Sequence, residues 1–423
     1  MYIIKDKQKK IFLAALLLFI FAQASVHADG YRNTPEGARA IGAFGGHRAF
    51  ADDANATIHN SANLVDLEAP MIQFNGTFGY GWNKFKGSGF SDKTENSTYA
   101  IPGFSAAWPI NDRFAVGLAT YVPFGRSVNW GSQDGLATAG YPYSGKMTVV
   151  DITPNIAFRL CDSLSIGLGL DIYQGEVEQS QSTYPPVYVD TPLGPFSAGN
   201  AKAHSRLTGD GSAVGWNAAA TWKITGRQRL AATYRAPFSI NYKGHNEYSV
   251  SGNGIPGFPE QTGRSDIDAE IEYPGIAALA YGFEFTDTLR AEFNIEWMEF
   301  SVYQNLTVND STFGSITSPQ KLEDTWTFGV GGEWNFATNW AARSGFMYLD
   351  NPTPDETYST LGPDEDQGVI SFGLGYETEH HAIDVGYAVG LFGGRTVTGS
   401  ANSPDGKYDY NLHLLSLSYG YKF

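Results

Sequence analysis

Apolar and polar residues alternate along most of this chain with a period of two. From 381 to 391 the odd positions read His, Ile, Val, Tyr, Val and Leu, and the even ones Ala, Asp, Gly, Ala and Gly. Trp326, Phe328, Val330, Trp334 and Phe336 share a face opposite Thr325, Thr327, Glu333 and Asn335. Leu289, Ala291, Phe293, Ile295 and Trp297 oppose Arg290, Glu292, Asn294 and Glu296. Between 267 and 285, Ile267, Ile271, Tyr273, Ala277, Leu279, Tyr281, Phe283 and Phe285 read as one apolar face against Asp266, Asp268, Glu270 and Glu272. Period two is the signature of a β-strand with unlike faces. The chain ends in such a stretch, with Leu415, Leu417, Tyr419, Tyr421 and Phe423 on one face and Ser416, Ser418, Gly420 and Lys422 on the other.

The pattern predicts fourteen strands: 70–84, 97–109, 112–125, 146–160, 163–178, 211–224, 228–243, 266–285, 288–308, 323–336, 339–350, 367–378, 381–392 and 409–423. Many exceed ten residues, whereas strands of soluble domains centre on about 5–6. Their second faces hold Gly, Ala and Ser among scattered charges rather than a continuous charged surface. IND, CDS, TGR, TDT and ATN are tight turns; the connections 126–145, 179–210, 244–265, 309–322, 351–366 and 393–408 are long. Short turns at one end, long loops at the other and an apolar outer band describe a transmembrane barrel. Closure removes the strand edges that lipid does not tolerate. The fold class expected is all-β: a transmembrane antiparallel β-barrel of about 14 strands over 70–423, with an N-terminal hatch in its lumen. The aromatic last strand then closes the barrel, its outer face solvated by lipid.

Composition fits that picture. Residues 1–28 read as a signal peptide: Lys5, Lys7, Lys9 and Lys10, an apolar run too short to span a bilayer comfortably, then Val26 and Ala28 at the cleavage positions. An uncleaved anchor is the alternative. Removing the four Lys and Asp6 of this leader takes the formal charge from −16 to −19. An acidic exported chain without a basic stripe does not suit nucleic acid. The lone Cys161 excludes an internal disulfide framework.

Residues 29–69 carry no strand pattern and are rich in Gly, Ala and Asn. Such a segment beside a wide barrel is either a plug or a periplasmic tail. Pro123-Phe124-Gly125 stands inside the third strand; proline withholds a ladder donor and glycine eases a bend. There the strand either loses a neighbour or ends. The following loop carries Trp130, Leu136, Tyr141 and Tyr143, and 184–199 is similarly apolar. These side chains form either an exposed capture groove for apolar ligands or a self-packed loop core.

The chain contains no nucleophile elbow, HExxH or Walker loop. Neither His380-His381 nor the acidic stretch around Asp355, Glu356, Asp364, Glu365 and Asp366 has metal-ligand spacing, so no metal, no other cofactor and no enzymatic activity are expected. Arg159, Arg229, Arg235 and Lys243 read as inward-facing bases, most of which balance lumen carboxylates; Arg159 and Arg235 are also candidates for a polar contact to a ligand's carboxylate.

The segment FADDANATIHNSANL resembles the hatch of the FadL/TodX family of outer-membrane transporters for long-chain fatty acids and other hydrophobic compounds. Asp52 and Asp53 match the family's acidic pair, and Asn60, Ser61 and Ala62 its Asn-Pro-Ala triplet, with Ser in place of Pro. The resemblance continues through PINDRFAVGLATY, GWNAAATWKIT, RLAATYRAPFSINYKG and WTFGVGGEWNFATNWAARSGFMYLDNPTPD. It implies fourteen strands, a lumen hatch, a lateral gate at Pro123, Phe124 and Gly125, and lateral exit of a hydrophobic small-molecule ligand into the outer membrane. The family's basic contacts to a fatty-acid carboxylate fall at Gln181 and Ser318, with Lys321 nearby, which favours a neutral or aromatic hydrocarbon. Phe423 resembles the end signal read by the barrel-assembly machinery. The expectation is a monomeric passive transporter of the Gram-negative outer membrane, in contact with lipopolysaccharide. The alternatives are a general diffusion porin and, less readily, an outer-membrane lipid-modifying enzyme.

Overall fold

The computed structural model describes residues 31–423 apart from 88, 96–97, 133–134, 192–193 and 253–259, and of 188–198 only the backbone. The leader, with its cleavage after Ala28, lies outside the described residues, as does part of the apolar stretch 184–199.

Fourteen strands build the wall. They are β1 (Met71–Gly87), β2 (Thr98–Asn111), β3 (Phe114–Asn129), β4 (Pro142–Cys161), β5 (Leu164–Thr183), β6 (Lys202–Thr225), β7 (Gln228–Arg235 and Phe238–Ser251), β8 (Gln261–Tyr273 and Ile276–Glu284), β9 (Leu289–Met298), β10 (Thr325–Ala337), β11 (Trp340–Leu349), β12 (Gln367–Glu377), β13 (His381–Phe392) and β14 (Gly406–Lys422). Each pairs antiparallel with the next, and β14 returns to β1 from Met71↔Lys422 to Gly87↔Gly406. Phe423 donates its N–H to the Pro70 carbonyl, 2.9–3.0 Å being the usual length for such a bond, here 3.0 Å. No helix among the described residues is long and apolar enough to cross a membrane; the crossing is made by strands.

Around the lower barrel the alternation is realised as expected. Leu168, Trp216, Leu279, Phe293, Phe328, Phe346, Phe372, Val385 and Leu417 are exposed on the outside. Their neighbours Ser165, Asn217, Glu292, Thr327, Ser371, Asp384 and Ser416 are buried inside. In water this outer face would be an oversized apolar patch; in lipid it is the solvated surface.

Several expectations are corrected above this band. Two of the long connections, 179–210 and 244–265, are largely strand among their described residues: β6 begins at Lys202, β7 runs to Ser251 and β8 starts at Gln261. Outside the hydrocarbon a strand needs no apolar outer face, so its charged residues resemble a loop in the sequence. The single face drawn through 267–285 is in fact two. Ala236-Pro237 in β7 and Pro274-Gly275 in β8 interrupt the strands side by side, with Arg235↔Ile276 paired below and Phe238↔Tyr273 above. Each proline withholds its ladder donor, and side-chain parity reverses across the break. Below it Leu279 and Tyr281 face lipid; above it Ile267, Ala269 and Tyr273 turn inward and Asp266, Asp268 and Glu270 outward. Lys243 therefore points outward, not into the lumen. Likewise 288–308 is not one strand: β9 stops at Met298, and a 3-10 turn leads to a hairpin of Asn305–Asp310 and Gly314–Pro319.

Residues 31–69 fold inside the barrel as the hatch. It contains α1 (Ala38–Gly42), α2 (Ala56–His59) and a 3-10 turn, Ser61–Asp66, whose buried faces meet lumen side chains.

Candidate functional site: a parted wall beside a seated hatch

The hatch rests on bare backbone. The lumen-facing residues of β10–β13 include Gly329, Gly331, Gly345, Gly373 and Gly386, and Gly42, Gly45 and Gly46 of the hatch lie against them. A Cβ built on Gly331 would stand 2.6 Å from the Ala43 carbonyl and 2.8 Å from the Gly46 Cα, so no larger residue fits without moving one chain. Gly45 adds a φ of 92° that only glycine adopts without strain.

Ion pairs fix the rest. Arg39 bonds Asp52 at 2.8 Å, Asp384 at 3.3 Å and also Glu377. Arg32 and Arg48 share Glu296, and Glu292 accepts the N–H groups of Arg48 and Phe50 at 2.7 and 3.0 Å. Asp66 faces Arg159, Lys223 and Arg229 at 2.7, 2.7 and 3.6 Å. Such pairs hold because each buried charge has its partner; removing one side leaves the other stranded.

The motif residues sit in this assembly. Asp52 joins Arg39 to Arg290; burial pushes its carboxyl up, but Arg290 and Arg39 hold it well below the usual range. Asp53 bonds the Asn55 N–H and Gln73; burial raises it, yet His47 brings it down to about 2. Asn60 caps the 3-10 turn through Ala62 N–H at 3.2 Å and donates to Thr221 at 2.8 Å. Ser61 and Ala62 are buried against β5 beside Gly167. In place of a fixed proline φ, the cap and the wall contacts hold that turn.

At Pro123-Phe124-Gly125 the strand does not end. β3 pairs with β2 only from Asn111↔Phe114 to Phe104↔Thr120. With β4 it continues across a bulge between Tyr121 and Phe124 and runs on to Asn129↔Ser144. Above Thr120, then, β3 has left β2, while β2 stays paired to β1 as far as Tyr80↔Thr98. The hatch takes the freed edge. Asn33 N–H donates to the Pro123 carbonyl and Gly125 N–H to the Tyr31 carbonyl, both at 2.9 Å, and Asn33 Nδ2 donates to the Val122 carbonyl at 2.7 Å.

Apolar side chains flank the parting on both sides. Tyr99 and Ile101 of β2 and Val122 of β3 cluster with Ile41 and Phe44 of the hatch and with Met347, Val369 and Leu412 across the lumen. Phe124, fully buried, joins an aromatic wall made by the reversed upper parts of β7 and β8. In it Phe238 stacks between Tyr173 and Tyr273, with ring centroids at 3.6 and 4.7 Å and planes within 8°.

The loop aromatics are packed, not displayed. Trp130, Leu136 and Tyr143 are buried in an outer cluster with Phe85, Tyr358 and Tyr408, and Trp130 Nε1 donates to the Thr360 carbonyl at 2.9 Å. Tyr141 lies at its margin. For these three residues the self-packed core holds and the exposed capture groove does not: their apolar side chains are covered by one another and by Phe85, Tyr358 and Tyr408. Of the polar candidates, Gln181 bonds the Gly140 carbonyl at 3.1 Å and exposed Lys321 pairs with Glu356 at 2.8 Å. Ser318 lies in the hairpin. Arg159 serves the hatch at Asp66. Arg235 is locked to Asp151 and Asp171, both at 2.7 Å. These residues are not brought together. Sequence reasoning missed the glycine seat, Tyr31 to Asn33 on β3, and Arg32, Arg39 and Arg48; runs of lumen glycine on consecutive strands were the available signal.

A fourteen-strand antiparallel barrel, apolar outside and plugged by its own N-terminal segment, is an outer-membrane transport barrel. Residues 21–423 match the family described as outer membrane protein transport protein (OMPP1/FadL/TodX), and the chain belongs to that family. It is 24% identical over 407 residues to the long-chain fatty acid transport protein of Escherichia coli O6:H1, covering 90% of this chain and 91% of that protein. In fold it is similar to a Pseudomonas aeruginosa FadL homologue, with a TM-score of 0.81, 23% identity, and coverage of 94% and 100%. It is also similar to the toluene transporter TodX of Pseudomonas putida, with a TM-score of 0.72, 17% identity, and coverage of 87% and 94%.

Proposed function

We propose that this protein is a passive channel, not an enzyme, that takes up hydrophobic small molecules such as long-chain fatty acids or aromatic hydrocarbons. They are released sideways into the membrane through the parting between β2 and β3. The observation that carries this reading is the parting itself: the ladder stops at Phe104↔Thr120, with Tyr99, Ile101 and Val122 beside it. The hatch stands across the alternative, straight route, which also disfavours a general diffusion porin. An apolar solute gains by never entering the periplasm, since each methylene kept from water is worth about 0.8 kcal/mol. The cations proposed for a fatty-acid carboxylate are engaged elsewhere, Arg235 by two aspartates and Lys321 by Glu356, which favours a neutral or aromatic solute. The protein is exported by the leader 1–28, assembled as a monomer through its C-terminal Phe423, and surrounded by lipopolysaccharide.

The test replaces Pro123-Phe124-Gly125 with Thr-Val-Thr, residues that continue a ladder. Uptake of the hydrophobic solute should fall at least tenfold while the barrel keeps its heat-modifiable migration in detergent. Uptake at the normal rate through such a sealed wall would rule out lateral exit.

A further inference from the structure

Directly behind the parting lies a space that apolar transport does not explain. It has a volume of about 120 Å³ and lies between the hatch and the wall from β6 to β10. Six buried polar atoms of its lining residues have no hydrogen-bond partner in the protein: Asn33 Oδ1, Glu36 Oε1, His47 Nε2, Ser61 Oγ, Asn294 Oδ1 and Thr327 Oγ1. Asn33, Glu36, Ser61, Asn294 and Thr327 are at most 7% exposed. A buried polar group left unmet is costly, so six around one chamber imply that its contents bond to them. The space has room for several waters to meet them, since one water needs only about 10–15 Å³ of such space and two to four polar partners.

The chamber has a chemical bias. Asn33 spends its Nδ2 on the Val122 carbonyl, and Asn294 spends its own on Glu292 and on the Gly45 carbonyl. Both amide oxygens are thereby fixed as acceptors toward the space. The guanidinium groups in the lining are already engaged, Arg32 and Arg48 by Glu296 and Arg235 by Asp151 and Asp171. A carboxylate entering would meet those two amide oxygens and no guanidinium that is not already paired, whereas a hydroxyl would donate to them. The chamber also touches the gate. Tyr121 and Pro123 of β3 line it, and the Glu36 carboxyl lies against Gly103 of β2, one residue above the last β2–β3 pair.

We propose that this chamber is a hydrogen-bonding subsite for the hydroxyl head of an apolar solute, an alkylphenol or a long-chain alcohol, whose tail occupies the parting between β2 and β3. The assignment rests on the lateral-exit reading above and adds to it the class of head group.

Three probes of equal tail separate the possibilities: 4-octylphenol, octylbenzene and 4-octylbenzoate, titrated calorimetrically into the purified barrel and followed for uptake by cells producing it. The phenol should bind about tenfold more tightly than octylbenzene, and the benzoate more weakly than either. In Asn294→Leu and in Thr327→Val, two variants on the wall rather than the hatch, the ratio of phenol to octylbenzene affinity should collapse toward one. Equal binding of phenol and octylbenzene by the natural protein means a chamber that holds water only, and overturns the subsite. A preference retained in both variants overturns it as well. If octylbenzene binds and crosses without a phenol preference, the transport reading stands and the subsite falls. If none of the three binds, both fall.

Discussion

The membrane band and the rim above it are built from the same strands with opposite sidedness. In the band, Leu279 and Tyr281 of β8 point outward and Ala278 and Ala280 inward; a few residues higher on the same strand, Asp268 and Glu270 point outward and Ala269 and Tyr273 inward. The switch is made by one proline in each of two neighbouring strands. What surrounds the wall decides which face is apolar: lipid below, water above. The rim is therefore an ordinary water-soluble sheet with its core inside, and that core is the aromatic wall beside the parting of β2 and β3. The lateral route proposed above would use both halves, an apolar interior to hold the solute and an apolar exterior to receive it.

The comparison is tested most severely where the rim's core is deepest. Phe238→Ala removes the middle ring of the stack and should cost roughly 3–5 kcal/mol in a folding titration. The adjacent, exposed Ser239→Ala should stay within about 0.5 kcal/mol. Equal effects would show that the upper strands pack as lipid-facing ones do. Next in size is a cation on the outer face. Val385→Arg, facing the hydrocarbon beside Leu417 of β14, should cost about 2–4 kcal/mol near the midplane. Asn241→Arg, on the outer face of the rim, should cost within about 0.5 kcal/mol. A penalty at Asn241 like that at Val385 would place the rim within lipid.

The same contrast explains what the sequence allowed to be read. Lipid imposes a strict outer face, so Ile383, Val385 and Tyr387, or Leu415, Leu417 and Tyr419, announce strand, register and membrane together. Above the lipid that rule lapses, and Lys202 to Asp210 or Gly244 to Ser251 read as loop although they are paired strand. A parity switch is almost silent in sequence: Pro237 and Pro274 are visible, but only their alignment across β7 and β8 turns two breaks into one inverted sheet. The break in pairing between β2 and β3 was legible as Pro-Phe-Gly, because proline's missing donor is local chemistry. Which neighbour the strand would leave was not, since that depends on Tyr31 to Asn33 arriving from the far end of the hatch. The seat of the hatch was hidden for a different reason. Gly331 or Gly373 reads as a small lumen residue, and only its partner across the lumen shows that backbone must touch backbone.

The hatch occupies a third environment, reached by neither lipid nor bulk water, and a pH titration sharpens how it differs from the other two. Burial pushes the Glu36 carboxyl from its ordinary 4.5 up to about 8, and burial pushes the His59 imidazole from 6.5 down to about 3. For Glu36 the seated hatch prefers the proton, so its contribution is complete below pH 4.5 and is lost as pH rises toward 8. For His59 the seated hatch prefers the neutral ring, so its contribution is complete above pH 6.5 and is lost as pH falls toward 3. Between about 4.5 and 6.5 the two slopes cancel; outside that window seating weakens in both directions. Ion leakage through the barrel in planar bilayers should therefore be lowest from about pH 4.5 to 6.5 and rise modestly on either side. Glu36→Gln should flatten the alkaline limb and extend the acid limb up to about pH 6.5, because the His59 slope is then no longer cancelled. An alkaline limb that survives Glu36→Gln would mean that the rim's exposed carboxylates, not the buried one in the hatch, govern how tightly the channel is closed.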